Sequence, residues 1–162
     1  RAASYVRALR LKANQYIDFV NTNGLFEEIV RLEEMREFLL RTRLFGEALS
    51  YPTLNMVAKS MTPLDLGKRP NLAELAEDFL YLVETGMLIR LNDNAEAELL
   101  NVGDFFGEES ALMGEPRQFT LHAKEDVQVY AVPSASSMDI PVVRWKLFES
   151  WNKRLQERVG NA

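Results

Sequence analysis

The chain has 162 residues, 47% of them hydrophobic and 27% charged, with a formal net charge of −5. This profile fits one globular domain with a helical extension, and the negative charge argues against a surface built to bind nucleic acid. The absence of cysteine excludes disulfide frameworks, zinc–thiolate sites and a cysteine nucleophile, and it fits a reducing, cytoplasmic compartment. No apolar run approaches the ~20 residues that span a bilayer, and because the first residue is Arg1 we expect a longer parent chain.

Residues 1–61 are expected to be helical. Apolar residues recur there at steps of three and four, namely Val6, Leu9, Ala13, Tyr16, Ile17 and Val20. Asn and Gly residues at 21–24 predict the end of this first helix, because both tolerate the left-handed conformation. A second helix is predicted over 25–39 and a third over about 53–61, where Pro52 suits the first turn.

The hydrophobic period shortens after residue 61. Short runs rich in β-forming residues are separated by compact turns, and they lie at 79–83, 87–91, 95–102, 118–123 and 127–132. Such a series predicts an antiparallel barrel or sandwich. The helical period returns near Ile140, with Val143, Leu147 and Trp151 along one face. The predicted divisions are therefore a helical arm and bundle over 1–61, a β-barrel over 62–138 and a C-terminal helix over 139–162.

One segment is not generic. Residues 103–117 read GDFFGEESALMGEPR. This order resembles the phosphate-binding cassette of cyclic-nucleotide-binding domains, which reads roughly G-x-x-F-G-E, two or three small or apolar residues, a short spacer and P-R. The strand, turn and strand over 79–91 and the flanking helices also resemble that family, so the likeness covers most of residues 38–158. The resemblance implies an α+β, mainly β fold: an antiparallel β-barrel or jelly roll flanked by N-terminal and C-terminal helices.

The resemblance also implies a ligand-binding set, made of Gly107, Glu108, Ser110, Ala111, Arg117 and Gln118. The planar guanidinium of Arg117 suits the two exocyclic oxygens of a cyclic phosphate. Glu108 would accept a hydrogen bond from the ribose 2′-OH. Free backbone N–H groups at the start of a short helix would favour the anion, and a glycine there lets the sugar approach closely. The side chain of Gln118 could bind a phosphate or a base edge.

Aromatic residues of the C-terminal helix are a second candidate feature. In this family that helix often folds over the base, and Trp145, Phe148 and Trp151 are therefore candidates for a lid that stacks on a purine. The alternative is that they pack against the barrel. His122 is the only histidine and has no partner at a metal-ligand spacing. We therefore expect no metal, no cofactor other than the nucleotide ligand, and no enzyme activity.

Two departures from the family pattern leave two hypotheses open. Bulky Phe119 stands where small residues are usual, and residues 70–78 lack the glycine of a family hairpin. The first hypothesis is a regulatory domain that binds cAMP in preference to cGMP and relays binding through its flanking helices to a fused or associated effector. The second is a degenerate fold that acts as a ligand-independent interaction module, with a homodimer formed through the N-terminal helices. Neither hypothesis involves nucleic acid or a membrane.

Overall fold

The structure, a computed structural model, describes residues 10–46, 49–68, 75–92 and 95–160. Val6 and Leu9 of the first predicted helix, residues 70–74 of the altered hairpin and the turn at 93–94 lie outside this part of the chain.

Six helices are present in the described part, and three of them precede the strands. Their bounds are α1 Ala13–Thr22, α2 Phe26–Arg41, α3 Tyr51–Ser60, α4 Glu108–Met113, α5 Ser134–Met138 and α6 Pro141–Gly160. The start of α3 shows why the sequence predicts it: Ser50 Oγ accepts a hydrogen bond from the Thr53 backbone N–H at 3.4 Å, and Pro52 lies in the first turn. The sequence did not predict α5.

Within the described residues, seven strands form two antiparallel sheets. Their bounds are β1 Thr62–Gly67, β2 Phe79–Thr85, β3 Leu88–Asn92, β4 Ala95–Leu100, β5 Phe105–Phe106, β6 Thr120–Ala123 and β7 Val127–Pro133. One sheet has the order β1-β7-β2-β5 and the other has β4-β3-β6. The predicted mainly β fold with flanking helices is confirmed, although hydrogen bonding within the described ranges gives two sheets and not one closed barrel. The prediction lacked β1, which is largely exposed and so has little apolar alternation, and β5, which has only two residues.

Strand β2 lies between two hydrophobic cores because successive side chains of a strand point to opposite faces. Leu80 and Leu82 belong to the core that α2, α3 and α6 share with the four-stranded sheet. Tyr81 and Val83 belong to the core between the two sheets. Both cores are thus anchored on one strand, and the helices are held against the sheet that carries it.

The same strand fixes the turn that precedes α4. Tyr81 pairs with Phe106 of β5, and their rings stack with centroids 4.9 Å apart. Gly107 follows with a φ of 95°, and a Cβ built there would lie 2.5 Å from the Phe79 carbonyl oxygen. Only glycine combines this backbone conformation with so close an approach. Gly107 therefore sets where α4 begins.

We expect Gly107→Ala to destabilise the domain more than Gly114→Ala does. Gly114 also has a positive φ, of 66°, but a Cβ there meets nothing within 4 Å. Left-handed strain of about 1–2 kcal/mol applies to both variants, and the clash with Phe79 adds roughly 1–3 kcal/mol at Gly107. Urea unfolding of the two variants measures the difference. Equal free energies of unfolding would contradict the close approach at Gly107.

Candidate functional site

The predicted short helix after Gly107 is present as α4, and its first residue is fully buried. Glu108 has 0% exposure and Glu109 has 6%. Burying two neighbouring carboxylates is costly unless cations compensate them. The partners come from elements distant in sequence, which the cassette pattern does not reveal.

Two arginines compensate these carboxylates. Arg90 of β3 is 1% exposed, and its Nη1 and Nη2 lie 3.3 Å from Glu108 Oε1 and 3.0 Å from Glu109 Oε1. Arg154 of α6 brings its Nη1 to 2.8 Å from Glu108 Oε1. It also donates to both carboxylate oxygens of Glu98, at 2.8 and 3.0 Å. We call these five residues the arginine–carboxylate cluster.

The pKa values of the two buried arginines are shifted in opposite directions. Desolvation lowers the pKa of Arg90, although the nearby carboxylates of Glu108 and Glu109 act in the opposite direction. Desolvation also acts to lower the pKa of Arg154, but the attraction of Glu108 and the hydrogen bonds that Arg154 donates to Glu98 outweigh it and raise the pKa. Because an arginine is not deprotonated in proteins, both remain cations. The carboxylates of the cluster therefore face two fixed positive charges.

Sequence reasoning missed Arg90, Glu98, Glu109 and Arg154. Arg90 stands in an apolar run, and Arg154 stands among other charged residues of a helix. A signal was available for Arg90 alone: a charged residue within a predicted buried strand requires a partner. Nothing in the sequence identifies which carboxylates those partners are.

Arg117 and Glu108 each present one buried polar atom without a hydrogen-bond partner among the described residues. Arg117 donates from Nη2 to the Leu75 carbonyl oxygen, while its Nη1 has no partner there. Glu108 Oε2 is likewise unpartnered within the described ranges. Each such atom costs about 1–3 kcal/mol. One of them is a donor and the other an acceptor.

The other predicted ligand-binding residues, Ser110, Ala111 and Gln118, make hydrogen bonds within or beside α4. Ser110 Oγ and the Ala111 N–H both donate to the Gly107 carbonyl oxygen, each at 3.2 Å. The Ala111 N–H is therefore engaged within α4 and not free, because the carbonyl of the residue before a helix accepts its first internal bond. The Gln118 backbone N–H donates to Glu109 Oε2 at 3.4 Å, and its side chain is exposed.

Two of the three aromatic residues predicted as a lid, Trp145 and Phe148, are exposed. Trp145 is 62% exposed and lines a cavity of about 460 Å³ with Arg43 and Phe105. Phe148 is half exposed, and its ring lies 5.6 Å from that of Trp151. Instead, α6 reaches the cassette through the ion pair from Arg154 to Glu108.

Two negative findings apply to the described part of the chain. It contains no group of three or more His, Asp or Glu side chains placed to hold a metal ion. Its helices include none that is both long and apolar enough to span a lipid bilayer.

The comparison with known proteins agrees with the resemblance that the cassette at 103–117 carries. Residues 73–140 match the sequence model of the family described as "Cyclic nucleotide-binding domain". A cGMP-dependent protein kinase of Eimeria tenella is 29% identical over 94 residues, which are 57% of this chain and 9% of that kinase. The match thus spans only a small part of the relative.

Solved structures share the fold. The regulatory domain of Toxoplasma gondii PKA, crystallised with cAMP, gives a TM-score of 0.69 at 19% identity over 84% of this chain and 55% of that one. The regulatory subunit of a cAMP-independent protein kinase A from Trypanosoma brucei gives 0.64 at 15% identity, over 80% of this chain and 50% of that one. The sequence match over residues 73–140 and the shared fold therefore agree with the resemblance to cyclic-nucleotide-binding domains.

Proposed function

We propose that this domain senses a cyclic purine mononucleotide at Glu108 and Arg117 and regulates an attached or associated effector, without catalysis of its own. The observation that carries the proposal is the complementary pair of buried, unpartnered atoms, Arg117 Nη1 and Glu108 Oε2. A cyclic phosphate offers only acceptor oxygens, and a ribose 2′-OH can donate. One ligand would therefore satisfy both atoms, and a 2′-deoxy analogue would leave Glu108 Oε2 without its donor.

We propose cAMP as the preferred nucleotide. Gln118 follows Arg117 directly, whereas cGMP-selective members tend to place a threonine there. The Toxoplasma gondii relative was crystallised with cAMP, but the Eimeria tenella relative is a cGMP-dependent kinase. Both nucleotides therefore belong in every binding measurement.

Arg117→Ala should weaken cAMP binding about 10- to 150-fold, because each charge-assisted hydrogen bond lost is worth roughly 1.5–3 kcal/mol. Isothermal titration calorimetry measures the dissociation constant, with Arg144→Ala as control, since Arg144 is an exposed arginine of α6. Titrations with 2′-deoxy-cAMP test Glu108, and 5′-AMP tests the requirement for the cyclic phosphate. An Arg117→Ala variant that binds as tightly as the control would refute the assigned site.

The relay would run through Arg154. Its guanidinium joins α6 to Glu108, the proposed ribose acceptor, and to Glu98 of β4. A hydrogen bond from a ribose 2′-OH to Glu108 would compete with Arg154 for the same carboxylate, and so would alter the relative stability of two positions of α6. Only a difference in ligand affinity between those positions can drive such a switch.

Arg154→Met keeps the length of the stem but removes the charge. We expect faster amide hydrogen exchange over residues 150–156 without nucleotide, and loss of the cAMP-induced change in that segment, because the carboxylates it compensates lose a buried partner. Arg144→Met on the same helix is the matched control. If cAMP protects α6 equally in both variants, the relay does not pass through Arg154.

A second function is favoured by the exposed face of α1. Tyr16, Ile17 and Phe19 are each about half exposed, while Val20 is the only buried residue of α1. The Trypanosoma brucei relative is described as cAMP-independent. These observations support a nucleotide-independent interaction module that forms a homodimer through the N-terminal helices.

In that case, deleting residues 1–24 or substituting Phe19→Asp should shift a dimer towards monomer, because an apolar contact is lost. Light scattering over a concentration series measures the mass, with Met56→Asp on the exposed side of α3 as control. A mass that does not change on deletion, or a dimer that forms only with cAMP, would contradict the nucleotide-independent module.

A further inference from the structure

Arg90 and Phe119 make a contact that the proposed function does not use. The Arg90 guanidinium carbon lies 3.9 Å from the centroid of the Phe119 ring. Arg90 pairs with Leu121 of β6, so Phe119, two residues earlier, is its diagonal neighbour on the same face. Such diagonal pairs are within reach of long and aromatic side chains. The contact therefore follows from the strand register.

Arg90 contacts the same carboxylate that is the proposed acceptor for the ribose of the nucleotide. Its Nη1 bonds to Glu108 Oε1, and the other oxygen of the same carboxylate is the proposed acceptor of the ribose 2′-OH. The 2′ carbon of a ribose adjoins the 1′ carbon, which carries the base. A base on that ribose would lie beside the guanidinium of Arg90. Arginine stacks well on aromatic faces, and every base offers one.

We propose that Arg90 is a further ligand-binding residue, the stacking platform for the purine base, and that the ring of Phe119 occupies this platform in the described conformation. The inference rests on the proposed function. On ligand entry the base replaces the ring, so one cation–π contact is exchanged for another. Arg90 keeps its ion pairs with Glu108 and Glu109 throughout, and no buried charge loses its partner.

Phe119 is placed to leave this position. It precedes β6, in the segment 114–119, which has no regular secondary structure, and its side chain is only partly buried. Its movement would need no strand hydrogen bond to break. The larger face of a purine covers more of the guanidinium than a pyrimidine does. The platform therefore favours purines, and Phe119 sets how readily they enter.

The first experiment measures cAMP affinity of the full chain and of Phe119→Leu, with Phe79→Leu as the matched control. Phe79 is a partly buried phenylalanine packed against the same core between the sheets. Because a cation–π contact need not be displaced, we expect Phe119→Leu to bind cAMP roughly 2- to 30-fold more tightly than wild type. Phe79→Leu should show no such gain.

The second experiment replaces the platform. Arg90→Lys keeps the charge that Glu108 and Glu109 require but removes the planar group, and we expect it to lower the ratio of cAMP to cyclic CMP affinity about tenfold. A double-mutant cycle of Arg90→Lys and Phe119→Leu, followed by urea unfolding without nucleotide, should show positive coupling between the two side chains.

The outcomes separate the two proposals. Suppose that wild type binds cAMP but Phe119→Leu shows no more gain in affinity than Phe79→Leu. The inference about Arg90 is then overturned and the proposed function stands. The same holds if Arg90→Lys keeps the preference for cAMP over cyclic CMP. If neither wild type nor Phe119→Leu binds a cyclic nucleotide at millimolar concentration, both fail. Binding that appears only in Phe119→Leu supports Phe119 as the occupant of the platform.

Discussion

The arrangement of this domain depends on compensating a buried pair of carboxylates. Glu108 and Glu109 begin α4 inside the protein, where an unpaired charge would cost several kcal/mol. Arg90 arrives from β3 and Arg154 from α6, and Glu98 of β4 completes the cluster. The three-stranded sheet, the cassette helix and the C-terminal helix are therefore tied together electrostatically, in addition to their apolar packing. A change in any one of these groups must affect the others.

The second constraint is steric and acts on the start of α4 from the side of the four-stranded sheet. Strand β2 holds β5 and leaves so little room beside Phe79 that only a glycine fits at position 107. The start of α4 is thus fixed against the four-stranded sheet by contact, and its carboxylates are fixed against the other sheet by charge. A helix of six residues has little stability by itself. Its position comes from these two attachments.

The site combines satisfied and unsatisfied groups within a few residues of chain. The cluster pairs Glu108 Oε1 twice, while Oε2 of the same side chain and Arg117 Nη1 find no partner in the described residues. Buried polar groups in native proteins are normally paired, so unpartnered atoms draw attention to function. The segment that follows α4 carries both Arg117 and Phe119. Movement of this one segment would therefore change phosphate access and the Arg90 platform together.

Local patterns in the sequence determined much of this protein. Apolar spacing and turn residues predicted α2, α3, α6 and five of the seven strands, because these depend on neighbours within a few positions. The cassette at 103–117 indicated α4 and the resemblance that the match over residues 73–140 bears out, since its glycines and short spacing act locally. The sequence did not determine that two sheets form, that Ala111 is engaged within α4, or that Arg90 and Arg154 meet Glu108. The contacts of Arg90 and Arg154 with Glu108 join residues 18 and 46 positions apart, and long-range partners of equal charge cannot be told apart until packing selects one.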